Sequence, residues 1–222
     1  LLDFLSTMRA AGMATGAKRS GSRMIGAAIL LLVFPGQAAA HDFALGGDAY
    51  AIFLSGCAAV LTELPVMIAM IATGILVSLW NREGLPKVWL AFVAGVAGGM
   101  LVATAALIEP VTVGYGSAIA LGLLAAAAVT PDVKLMRLVL FFAGLLPTAA
   151  LLSDHDFGTV PPAAYAGILF MSNVVLSASA GLVTITLKNI AFSWVSIAFR
   201  ALASWLVAIA LISFAVLLRV GS

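Results

Sequence analysis

Glu63 and Pro65 stand two residues apart near the start of LTELPVMIAMIATGILVSLW, residues 61–80. The stretch is otherwise apolar enough to cross a bilayer, where one carboxylate costs about 3 kcal/mol on insertion scales. Proline has no N–H for the carbonyl one turn earlier, which a membrane helix tolerates only where protein or a wet cavity supplies another donor. A carboxylate at such a break, with the Thr62 hydroxyl beside it, has the chemistry of a cation or proton site. The structural alternative is a carboxylate hydrogen-bonded to a neighbouring helix or reaching the interface.

Two further groups carry polar chemistry. His41 and His155 are the only histidines, and both have acids beside them: Asp42 after the first, Asp154 and Asp156 around the second, with Asp48 close in sequence. Imidazole with carboxylate suits a transition metal ion, so these six residues form a candidate capture site; two unrelated solvated loops are the alternative. The other group is Ser172, Asn173, Ser177 and Ser179. Asn173 and Ser177 are four apart and share a helix face, fit either for a polar pathway or for hydrogen bonding between helices. No phosphate-binding loop, cysteine pair or nucleophile–base motif accompanies them, which argues against an enzyme. The single cysteine, Cys57, lies in apolar sequence and reads as a packed thiol.

The elements that must position these residues are membrane helices. The chain has 222 residues, of which 64% are hydrophobic and only 9% charged, with a mean hydropathy of +1.20. No soluble core of this size needs so much apolar surface, and several runs approach the ~20 residues that span a bilayer. The expected fold is all-α, a polytopic transmembrane bundle embedded in lipid. Six spans are predicted at about 50–80 (broken near Glu63), 87–108, 111–130, 134–152, 162–187 and 197–219. Gly95 with Gly99, and Ser177 with Gly181, are small pairs suited to close helix packing, and Pro147 is expected to kink its span.

Charge sets the orientation. Arg82, Lys87, Lys134, Arg137, Lys188 and Arg200 fall in alternate loops, and Asp42, Asp48, Glu109, Asp154 and Asp156 in the others. The basic loops are expected in the cytoplasm, which puts residue 41 on the periplasmic side of a bacterial inner membrane. Residues 1–40 read as a basic leader and an apolar segment ending in Ala38-Ala39-Ala40, either a signal peptide cut before His41 or an anchor. Residues 41–222 form the single six-helix domain. The first residue is not Met, so translation is expected to start at Met8, Met13 or Met24. Four of the eleven basic residues (Arg9, Lys18, Arg19 and Arg23) lie in the leader, and no excess positive charge remains to hold nucleic acid.

The order of these features resembles the HupE/UreJ family of hydrogenase and urease accessory membrane proteins. AMIATGIL (Ala69–Leu76), WLAFVAGVAGGM (Trp89–Met100), YAGILFMSNVVLS (Tyr165–Ser177) and FRALASWLVAIA (Phe199–Ala210) are similar to that family's first, second, fifth and last spans. The resemblance implies a permease for a nickel- or cobalt-type ion, or an accessory to metalloenzyme maturation, with the metal ion as substrate. The family's polar signature is replaced here. Its first His falls on Ala59, its Asp on Pro65 and its second His on Val66, which leaves Glu63 as the acid nearby. A second class of function is therefore open: a non-transporting structural or assembly subunit whose helix faces meet a partner within a membrane complex.

Overall fold

A computed structural model describes residues 48–220 apart from 84, 104–108, 156–158 and 191. The leader, the cleavage segment, His41, Asp42 and Asp156 lie outside the described residues. Seven helices follow in order: α1 (Ala49–Thr62), α2 (Leu64–Trp80), α3 (Leu85–Val102), α4 (Pro110–Ala127), α5 (Val133–Leu152), α6 (Pro162–Asn189) and α7 (Trp194–Val220). No strand occurs among the described residues. Five helices are each long and apolar enough to cross a membrane, or six if the bent pair α1–α2 counts as one span. The protein is an all-helical integral membrane bundle, and the spans lie within a few residues of those expected.

Helix starts follow local chemistry. Asp48, Glu109 and Asp132 turn their carboxylates back to accept from Ala51, Thr112 and Leu135 N–H at 2.7, 2.6 and 3.0 Å, satisfying donors that have no partner within the helix. Prolines occupy the first turns of α2, α4 and α6, where a missing N–H costs nothing. The exposed cap Glu109 has its carboxyl held below the ordinary value, first by the hydrogen bond from Thr112. A lowered carboxyl pKa means the cap's contribution is complete above the unfolded-state value and is lost as pH falls through the folded one. Thermal melts from pH 7 down to pH 3 should therefore show a step in the wild type that is smaller in Glu109→Gln.

The direction of each helix can be read from its contacts. In α3 and α5, Phe92 meets Gly144, Gly95 meets Phe141, and Gly99 meets Leu145 and Thr148, so these helices run parallel. In α2 and α6, Gly74 meets Ser179 and Ala180, while Ser78 Oγ donates to the Ala180 carbonyl at 2.9 Å and receives Thr184 Oγ1 at 3.2 Å; these also run parallel. By contrast α7 runs against α4. Arg200 Nε donates to the Ala126 carbonyl at 2.8 Å, Gly122 meets Ala203 and Val207, and Tyr115 stacks on Phe214 with ring centroids 5.7 Å apart.

All turns that carry basic residues thus gather at one end. Trp80 Nε1 donates to the Pro131 carbonyl at 2.8 Å and Arg137 Nε to the Lys87 carbonyl at 3.3 Å, tying neighbouring turns there. The core sits around α2, where every residue from Ile68 to Ser78 except Ile71 is buried. At 28 residues, α6 is the longest helix. It presents one buried stripe, Ala164, Ile168, Ser172, Leu176, Ala180 and Val183, at the three- and four-residue spacing of a helix face.

Two expectations change. The break expected near Glu63 is present, but the two helices it joins are bent by 75° and run in opposite senses along α6. Phe53 lies against Gly167, and Gly56 against Ala164, so α1 runs against α6 whereas α2 runs with it. The reason lies in Pro65: its missing N–H costs nothing in the first turn of a new helix, and Glu63 takes extended backbone angles (φ −75°, ψ 102°). Next, Gly181 has nothing within 4 Å of where a Cβ would stand and Ser177 is exposed. That small pair is therefore not a packing seam within the chain, because α6 turns the Ala164–Val183 stripe inward instead. α5 is one helix from Val133 to Leu152 with Pro147 inside it.

Candidate functional site

The site is built around the α1–α2 joint. Glu63 ends α1, donating its backbone N–H to the Ala59 carbonyl at 3.0 Å, and opens α2, its carbonyl accepting from Met67 N–H at 3.0 Å. Its side chain makes no cap hydrogen bond and is half-buried. The next residues are wedged into the bundle. Pro65 is buried and lies against Gly114 near the start of α4 and Ala150 near the end of α5. Tyr115, the residue after Gly114, is 6% exposed.

The joint is rich in oxygen. Pro65 offers no N–H to the Leu61 carbonyl. Thr62 Oγ1 donates to the Ala58 carbonyl at 2.9 Å. The Glu63 carboxylate also sits at the positive end of the α2 dipole. Carboxylate, hydroxyl and backbone carbonyl are oxygen groups, of the kind that suits a hard cation or a proton rather than a soft metal.

Other predicted residues are placed elsewhere. Asn173 bridges helices: its Oδ1 accepts from Trp89 Nε1 at 2.7 Å and its Nδ2 donates to the Leu169 carbonyl at 2.7 Å. Trp89 stands in the first turns of α3, at the basic end, whereas Glu63 stands beside the start of α4. Asn173 is taken up by these two bonds, and Ser177, one turn further along α6, is exposed. Asn173→Leu is accordingly expected to cost about 1 kcal/mol of stability, the usual range for an interhelical bond in a membrane, with transport unchanged. A detergent melt and a vesicle uptake assay on the same preparation check both halves.

Of the proposed capture residues, Asp48 caps α1, Asp154 is exposed, and His155 is half-buried in the turn after α5, donating its backbone N–H to the Leu152 carbonyl at 3.1 Å. Among the described residues no three of His, Cys, Asp and Glu come together as a metal site. Cys57 is buried, its thiol directed at the Gly167 carbonyl at 3.5 Å.

Two further polar side chains lie buried in the bundle: Tyr115, which sequence reasoning passed over, and Ser172, which it grouped with Asn173. Tyr115 was detectable in principle, because a phenol inside an apolar span requires a polar neighbour. Ser172 lies on the buried stripe of α6, between Gly167, which α1 grips, and Ala180, which α2 grips. Its Oγ is buried with no hydrogen-bond partner among the described residues, and buried hydroxyls rarely stay so without water or an ion.

No protein-family model, curated protein or solved structure matches this chain.

Proposed function

We propose that the protein is a cation permease, HupE/UreJ-like in its arrangement of spans, with Glu63 as the intramembrane ligand. The observation that carries this reading is a carboxylate at a 75° break between two apolar helices. Discontinuous membrane helices with unpaired carbonyls and an acid at the break are how transporters build cation sites near the middle of the bilayer. The unpartnered Ser172 hydroxyl on α6 is a further buried polar point in the bundle. The resemblance implies nickel- or cobalt-type cargo, while the oxygen-only donor set at the joint favours a proton or a hard cation.

Reconstitution into vesicles tests it. Purified protein is assayed with a pH dye and with Na⁺, Mn²⁺, Ni²⁺ and Co²⁺ in turn. Flux of one of these that Glu63→Gln abolishes supports the reading and names the cargo. Equal flux from wild type, Glu63→Gln and protein-free vesicles for every ion sinks it.

One observation favours a second reading, a non-transporting subunit. The face of α7 bearing Trp205, Ile209 and Ile212 is exposed along the helix, and Trp205 is 72% exposed at mid-helix. Trp ordinarily gathers at the membrane interface. A stoichiometric partner that survives mild detergent and shields Trp205 from quenching by brominated lipid would favour this reading.

A further inference from the structure

At the basic end, Arg82 in the α2–α3 turn and Lys188 in the last turn of α6 line one groove of about 350 Å³ with Leu187, Phe192, Ser193 and Ser196. Neither cation forms an ion pair among the described residues. Two like charges facing one concavity repel each other, an arrangement stabilised when an anion enters between them. The groove also borders the first turn of α7, whose N–H groups and dipole favour negative charge. Ser196 Oγ donates to the Ser193 carbonyl at 3.1 Å, which leaves its lone pairs turned to the surroundings.

Apolar parts complete the groove. Leu187 is half-buried and packs against the core, while Phe192 is 67% exposed and stacks with Trp194 at 6.4 Å between ring centroids. Stacked, exposed aromatics beside a turn between two spans sit at headgroup depth, with hydrocarbon below them. Cations above and apolar walls below match a molecule that is anionic at one end and oily at the other.

We infer that this groove binds the phosphate headgroup of an anionic membrane lipid, held by Arg82 and Lys188 with its acyl chains along Leu187 and Phe192. Arg82 supplies a planar fork suited to two phosphate oxygens and Lys188 a point charge. The inference stands apart from the cargo question, since Glu63 lies at the opposite end of α2.

Native mass spectrometry of the full chain in mild detergent tests it, with phosphatidylglycerol and phosphatidylcholine added at equal concentration. The wild type should retain phosphatidylglycerol at least tenfold more than phosphatidylcholine, and Arg82→Gln/Lys188→Gln should lose that preference. Lys134→Gln, which removes a charge at the same end but outside the groove, should keep it. Phosphatidylglycerol should also raise the melting temperature of the wild type and not of the double variant, a readout that also establishes that the variant folds. Equal retention of both lipids by the wild type, or an undiminished preference in the double variant, overturns the inference. So does displacement of the lipid by millimolar inorganic phosphate, which would make the groove a site for free phosphate.

Discussion

Glu63→Gln should cut cation uptake by at least about tenfold while raising the melting temperature. Both effects come from the same charge. A carboxylate taken from water into a half-buried joint costs several kcal/mol unless something offsets it. The amide removes both the burial cost of the charge and the attraction that the proposed cargo would feel. The amide keeps shape and hydrogen bonding but not the charge, and ~1.4 kcal/mol of lost attraction already gives tenfold weaker binding. Initial rates in vesicles and a thermal melt of the same protein read the two halves. A variant that transports normally and melts higher would assign Glu63 to structure alone. Glu63→Asp separates charge from reach: it should recover part of the rate, since the charge remains but ends about one methylene short.

The second large effect lies between α3 and α5. Gly95→Ala should destabilise by about 2–3 kcal/mol, because forced overpacking against neighbours that cannot move costs in that range. A methyl at Gly95 would overlap the Phe141 carbonyl oxygen. The facing Gly144 is equally constrained, since a Cβ there would stand 2.5 Å from the Phe92 carbonyl oxygen and 2.7 Å from Val96 N. Backbone lies on both sides of the seam, so no side chain can turn aside. Gly181→Ala is the control. Nothing lies within 4 Å of its Cβ position, so the helix preference for alanine should appear as a gain of up to about 1 kcal/mol. Detergent-unfolding titrations of the two variants should move in opposite directions, and the seam explanation fails if they move together.

The same contrast indicates what the sequence could reveal. Span positions were legible because the length and composition of an apolar run are set by bilayer thickness. The break at Glu63 was legible because proline and a carboxylate have no ordinary place there. Which way α1 runs along α6 was not, nor which small pair forms a seam. Lipid is as apolar as the protein interior, so an outward face bears no polar mark. Gly95 and Gly181 look alike in sequence, yet one meets backbone and the other meets nothing. Asn173 looked like a pathway residue because its partner Trp89 is 84 residues away. Tyr115 is buried only through the packing of α4 in the bundle, a tertiary fact that local pattern does not carry.

The length of α6 has a mechanical consequence. Twenty-eight residues make a rod of about 42 Å at 1.5 Å per residue, whereas the hydrocarbon slab is about 30 Å thick. Upright, its ends would stand roughly 12 Å beyond the slab; lying wholly within, it must lean by about 45°. The joint at Glu63 hangs between two helices that grip this rod in opposite senses, α1 near its first turns and α2 toward its last. A thicker or thinner bilayer would favour a different lean of this rod, on which both helices of the joint are packed.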